Sequence, residues 1–273
     1  MASIVAAAGL PHTPVYPRLA AGPDGAHIAA RYAAVSRLLE EARPDVLCVF
    51  NCDHINAFFL DNWPTFAITS GTELICPVDG VPGVPATPVR VHTELAAHLH
   101  AYAVTQDFDL SLVLRGGADH GVAVPLHFLD PHARLPVVAV QINDMVAPFP
   151  SARRCFALGR ALAEAVTAWP QDLRVALVAS GSFSLDVGSP RVPAGHGHVI
   201  PRPDWAAQVA DTLRTGRIGE LLKSATPATL ADAGTVAGEI LSWFAVLGAC
   251  TDLTLRHLDY EEGEGHAFAT WTR

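Results

Sequence analysis

Short apolar runs rich in valine recur along this chain, separated by longer stretches of helical period, and this alternation restricts the fold more than any other feature of the sequence. The runs cover residues 4–8, 46–51, 66–69, 110–114, 137–142 and 175–179, and each ends near a Gly, Asn, Ser or His. Helical period falls over residues 28–42, 93–104, 152–168, 205–215 and 236–249, with Asp204 and Thr235 placed to cap the last two. Strands that alternate with helices predict an α/β fold, a central mixed sheet flanked by helices on both faces. A single compact domain spanning residues 1–273 is expected, because that length is ordinary for one α/β core and no internal repeat or linker divides it.

Composition narrows the function. Half of the residues are hydrophobic and 16% are charged, which suits a packed globule and not a disordered chain. A formal net charge of −9 works against nucleic-acid partners, whose phosphates are bound by Lys and Arg. Apolar stretches such as residues 137–142 are far shorter than the roughly 20 residues that cross a bilayer, so no membrane span is expected. The start, MASIVAAAGLPHTP, lacks a basic leader and reads as a first strand with its loop, which predicts a cytoplasmic protein. Five cysteines without a CxxC pair speak against a disulfide framework or a zinc knuckle, and Cys48 and Cys52 read as buried thiols.

Two Pro- and Gly-rich stretches, residues 76–88 and 188–203, are too long to be plain connections and are expected to be lids or walls of a site. Among the 13 histidines, His12 follows the first strand in GLPHTP, His54 follows another in FNCDHINAFFLDNWP, and His120 lies in GGADHGVAVPL. Taken singly, such a histidine is more often structural or solvent-exposed, but three in one topological setting point towards a site at the strand ends. Asp53 and Asp119 precede His54 and His120, and each could orient its neighbour's imidazole if the backbone turns there.

Glu239 is the only acid between Asp232 and Asp252 and sits in a strongly apolar helical segment, GTVAGEILSWFAVLGAC. Buried, it needs a cation or a hydrogen-bond network; on a solvent face near the helix start it would need neither. Two imidazoles and one carboxylate around a cation would make the three-ligand face that suits iron(II) and leaves positions open for substrate and O2. Spacing alone does not bring His12, His54 and Glu239 together. Phe58, Phe59 and Trp63 suit either an aromatic-binding pocket or core packing, and Arg115, Arg191 and Arg202 either a substrate carboxylate or the plain surface.

Read in order, GLPHTP, DHINAFFLDNWPTFAI, DHGVAVPL, ASGSFSLDVGSPR and AGEILSWFAVLGA resemble the class III extradiol ring-cleavage dioxygenases of the protocatechuate 4,5-dioxygenase β-subunit type. The resemblance runs from about residue 4 to the C-terminus, where GEGHAFATW looks like the closing strand. It implies an Fe(II) cofactor held by His12, His54 and Glu239, with His120 in the pocket assisting proton transfer. A small catechol-type aromatic and O2 would be the substrates, and a ring-opened semialdehyde-type product would result. The assembly implied is a homo-oligomer, with or without a small α-type subunit. One departure stands out: where the family commonly has Ser-His, this chain has Ser184-Leu185. Leucine cannot move a proton, so His120, and after it His196 and His198 in the loop beyond, are the candidates to cover that role. A catalytically silent binding module, and a zinc-dependent enzyme on the same scaffold, are the competing readings.

Overall fold

The computed structural model describes residues 1–273. Ten strands form: β1 (Ser3–Leu10), β2 (Val46–Asn51), β3 (Phe66–Thr69), β4 (Glu73–Cys76), β5 (Thr87–Arg90), β6 (Leu110–Val113), β7 (Val137–Ile142), β8 (Arg174–Ser180), β9 (Thr254–Asp259) and β10 (Phe268–Thr272). The helices are α1 (Tyr16–Ala20), α2 (Ala26–Glu41), α3 (Thr93–Thr105), α4 (His120–Leu129), α5 (Ala152–Ala168), α6 (Pro203–Thr215), α7 (Ile218–Ser224), α8 (Pro227–Ala233) and α9 (Ile240–Ala249). Eight strands make one mixed sheet in the order β6-β3-β7-β2-β8-β1-β10-β9, and β4 pairs with β5 in a separate hairpin.

The middle strands are continuous apolar runs because both of their faces are covered. In β2, Val46, Cys48 and Phe50 enter one core with α3, α5 and α9, while Leu47 and Val49 enter the other with α2 and α4. In β8, Val175, Leu177 and Ala179 face the first core and Ala176 and Val178 the second. The expected α/β domain, mixed sheet and two helix layers are all present. β7, β2, β8 and β1 run parallel, so their carboxyl ends share one edge of the sheet, and antiparallel β10 begins at that same edge.

Several local expectations are corrected. Arg202, not Asp204, occupies the cap of α6, because Pro203 is preset for the first helical position and Asp204 instead pairs with Arg202. Thr235 does not cap the last helix; its hydroxyl ties Val187, and a 3₁₀ turn, Ala237–Glu239, leads into α9. The stretch 76–88 is not all loop, since Cys76 closes β4 and Thr87 opens β5. His120 begins a helix that the sequence reading left out, α4, which contains Pro125. No helix of the protein is long and apolar enough to cross a membrane.

Candidate metal centre

His12 lies just beyond the end of β1, and His54 just beyond β2, at the shared carboxyl edge. Glu239 reaches them from the turn that opens α9. Its place depends on Gly181, the residue after β8: with φ at +146°, a Cβ there would stand 2.4 Å from Glu239 Cβ. Ser182 N–H then donates to Glu239 Oε2 at 2.6 Å, and Trp243 Nε1 donates to the Gly181 carbonyl at 3.0 Å. The backbone after His54 turns through a left-handed Ile55, φ 62°, an unfavourable conformation for a β-branched residue and one met at functional sites.

Hydrogen-bond direction fixes how the two rings point. Pro125 lacks the N–H that would bond the carbonyl of Gly121, four residues back. That carbonyl accepts the Ser180 hydroxyl instead, at 2.6 Å. With its proton so committed, Ser180 Oγ accepts from His12 Nδ1–H at 2.8 Å. His12 Nε2 is therefore turned towards Glu239 Oε1, 3.1 Å away, and is buried with no hydrogen-bond partner. His54 repeats the arrangement: Nδ1–H donates to Asp119 Oδ2 at 2.9 Å, and Nε2 lies 3.5 Å from the same Glu239 oxygen. Asp119 also accepts from the backbone N–H of His54 at 2.7 Å and caps α4 through Gly121 N–H at 2.8 Å.

Two ring nitrogens thus converge on one buried carboxylate oxygen, and the site calls for positive charge. Burial would raise the Glu239 carboxyl, but His12 and His54 outweigh it and hold its pKa far below the usual carboxylate range. Burial disfavours a charged His54 ring, yet Cys52, Asp119 and Glu239 together raise its pKa well above that of an ordinary imidazole. A proton on His54 is one answer to that field; a divalent cation among the three atoms answers it for both rings at once. The donor set of two imidazoles and one carboxylate, each oriented by a further hydrogen bond, fits a metal ion. Cys52 Sγ belongs to the same group, with all ligand atoms within 4.8 Å of one another.

Residues 6–268 match the family described as the catalytic LigB subunit of aromatic ring-opening dioxygenase. The chain belongs to this family. Among curated relatives of this LigB-family chain, the gallate dioxygenase of Pseudomonas putida is 30% identical over 63% of the chain and 50% of its own length. The chain thus spans half of that relative. A 2,3-dihydroxyphenylpropionate/2,3-dihydroxicinnamic acid 1,2-dioxygenase of Paraburkholderia phymatum is 28% identical over 87% of the chain and 86% of its own length. The crystal structure of the uncharacterized protein JW3007 from Escherichia coli K12 shares the fold at 19% identity, with a TM-score of 0.54 and 98% coverage of each chain. The ring-cleaving dioxygenase expected from the motifs is therefore upheld at the level of the family.

The other expected site residues divide. His120 joins the LigB-family cluster, stacked on His54 at 4.0 Å between ring centroids and 5.3 Å from His12. Burial lowers its pKa, against the pull of its hydrogen bond to Asp79. His196 and His198 are not brought to these rings and stand exposed in the 188–203 loop. Arg191 and Arg202 are committed to Asp186 and Asp204, and Arg115 is exposed. Phe58 and Trp63 are half-buried, and Phe59 is exposed. The neighbouring Asp–His pairings that the sequence raised do not form: Asp119 serves His54, Asp79 serves His120, and Asp53 accepts the N–H groups of Asn56, Ala57 and Phe58.

Sequence reasoning missed four residues at this edge. Ser180 and Asp79 gave no signal beyond ending an apolar run and lying in a Gly-rich loop. Asp144, fully buried beside the centre, is pushed well above the usual carboxylate range by burial and then by Glu239. His266 precedes β10 and lines a recess of about 440 Å³ with Tyr16 and Arg31; its place next to GLPHTP follows from the antiparallel β1–β10 pairing, which no local motif announces.

Proposed function

We propose that this chain is an iron(II)-dependent extradiol dioxygenase that opens a catechol-type ring beside its hydroxyls, with His12, His54 and Glu239 as metal ligands and His120 as the residue that handles the substrate proton. The observation that carries the reading is the convergence of His12 Nε2 and His54 Nε2 on Glu239 Oε1, with both Nδ1 atoms engaged elsewhere. Iron(II) bound there would supply adjacent positions for a chelating diol and O2, and a path for electron density from ring to oxygen. The chain's own residues do the rest. Ser180 and Asp119 hold the two ligand rings in the tautomer that leaves Nε2 free. His120, stacked on His54, would take a proton from a bound hydroxyl and return it. With Leu185 unable to carry a proton, that work falls to His120, since His196 and His198 are exposed.

The names of the relatives, a gallate dioxygenase and a dihydroxyphenylpropionate dioxygenase, support vicinal aromatic diols that bear a carboxylate as the substrate class. The five free, buried cysteines suit a reducing compartment and support a cytoplasmic location. Ile55, Phe59 and Leu60, exposed to 42, 59 and 69% in the loop after His54, support a covered surface, and we infer a homo-oligomer. One observation favours a second reading: Cys52 Sγ, 3.5 Å from His54 Nε2, adds a soft donor that would suit zinc. Anaerobic loading with iron(II), followed by O2 uptake and absorbance scans over a panel of carboxylated catechols, tests the proposal, with His12→Ala as control. O2 uptake with a new visible band that the variant lacks supports it. Activity with zinc alone, abolished by Cys52→Ser, would replace it.

A further inference from the structure

His120 is held by a carboxylate from a distant segment. Its Nδ1 lies 2.5 Å from Asp79 Oδ2, and the two side chains are only 12% and 13% exposed. Asp79 follows β4, and its loop is pinned to the segment before α4 at several points. Ala118 N–H donates to the Ile75 carbonyl at 2.9 Å, and Val78 N–H to the Ala118 carbonyl at 3.0 Å. Gly117 gives the room, since a Cβ there would lie 2.2 Å from a Val78 methyl. The turn that presents Asp79 continues through Gly80 at φ +70°. Asp79 and His120, 41 residues apart in sequence, are thereby locked in one register.

Local stability does not account for the pair. As the first residue of α4, His120 is not needed to cap it, because Asp119 does so. Asp79 Oδ1 is buried without any hydrogen-bond partner, an unsatisfied group of the kind that folds tolerate where function requires it. We propose that Asp79 is a positioning residue for the ring-opening reaction: by accepting from Nδ1–H it fixes the tautomer and orientation of His120, so that Nε2 is the nitrogen offered to the substrate hydroxyl. A carboxylate only accepts, so the ring hydrogen sits on Nδ1 and Nε2 carries the lone pair. This arrangement parallels the one that Ser180 and Asp119 impose on His12 and His54, and it rests on the reading of His120 as the proton-handling residue.

The test has two readouts. In the metal-free protein, long-range ¹H–¹⁵N spectra of the imidazoles are expected to show His120 with Nδ1 protonated, and to show both tautomers in Asp79→Ala. In the iron-loaded enzyme, Asp79→Ala is expected to lower kcat by roughly 10- to 100-fold with KM changed by less than about threefold, the range set by carboxylate partners of functional histidines. Asp79→Asn, whose amide oxygen can still accept, is expected to recover part of kcat and serves if the alanine variant does not fold. A double-mutant cycle gives the decisive comparison: in a His120→Ala background, Asp79→Ala should cost nothing further. An unchanged tautomer in Asp79→Ala, or an equal loss of kcat with and without His120, overturns the assignment of Asp79. If His120→Ala itself leaves kcat intact, the reading of His120 fails, and the assignment of Asp79 to catalysis fails with it.

Discussion

At His12 the position of one hydrogen determines what the centre can bind. Ser180 Oγ spends its proton on the Gly121 carbonyl and can only accept from His12, so Nδ1 is the protonated nitrogen and Nε2 faces Glu239. Removing that hydroxyl leaves the ring free to rotate or to change tautomer while the three proposed ligands stay in place. Ser180→Ala is therefore expected to weaken metal binding by roughly 10- to 100-fold, the range for outer partners of ligand histidines. Anaerobic titration calorimetry with iron(II) checks this, and an affinity equal to that of the wild type would show that the serine does not orient the ring. The histidines themselves are visible in the sequence because each follows an apolar run. Their partners are not: Ser180 lies 168 residues from His12, and Asp119 lies 65 from His54. The neighbouring acid, Asp53, which the sequence offered to His54, faces backbone N–H groups instead.

Among the elements, agreement and failure have separable causes. β2, β3, β7 and α5 fall at the residues that periodicity indicated, because each buries apolar side chains in a core and its pattern is set by that burial. α4 escaped because it is short, opens on GGADHG and contains Pro125, all of which read locally as loop. β9 escaped because it is a partly exposed strand at the sheet's end, and β4 and β5 because each is only four residues long and the prolines that follow β4 (Pro77) and lie in β5 (Pro88) read as a connection. Elements also meet through glycines. Gly181 stands where β8 gives way to the loop under Glu239, at a φ that L side chains rarely adopt, with no room for a Cβ. Gly181→Ala combines backbone strain with a clash against Glu239 and is expected to destabilise the protein by about 2–4 kcal/mol. Urea unfolding of the metal-free variant measures this, and a loss below about 1 kcal/mol would mean that α9 shifts easily to make room.

Across the whole molecule, the antiparallel β9–β10 pair closes the sheet beside β1 and carries residues near the C-terminus to the edge where the N-terminal His12 lies. Motif order hinted at a closing strand in GEGHAFATW; that it would bring His266 beside the segment after β1 could not be read without the pairing. The junction is polar. Arg31 of α2 meets Asp259 at 3.0 Å and Glu264 at 2.8 Å and lies over the Phe268 ring, and His266 is packed behind them with Nε2 buried and unpartnered. Burial above all, aided by Arg31 and His198, pulls the His266 pKa down to about 4 against the opposing pull of Glu264 and Glu239. The unfolded chain takes up this proton near pH 6.5, whereas the folded one resists until about pH 4. Folding stability linked to His266 is therefore complete above pH 6.5, declines as the pH falls through that window and levels off below it. The full shift corresponds to a loss of about 3 kcal/mol. His266→Gln removes the titrating group while keeping a polar side chain, so unfolding of the metal-free protein at pH 7.5 and pH 4.5 should show a smaller acid loss in the variant by roughly 2 kcal/mol. Asp119, which does not face His266, carries its shift in both proteins, so the difference isolates His266 together with its coupling to Glu264 and Glu239. Equal acid losses would mean that the closing strand opens to admit the proton more easily than the burial of His266 indicates.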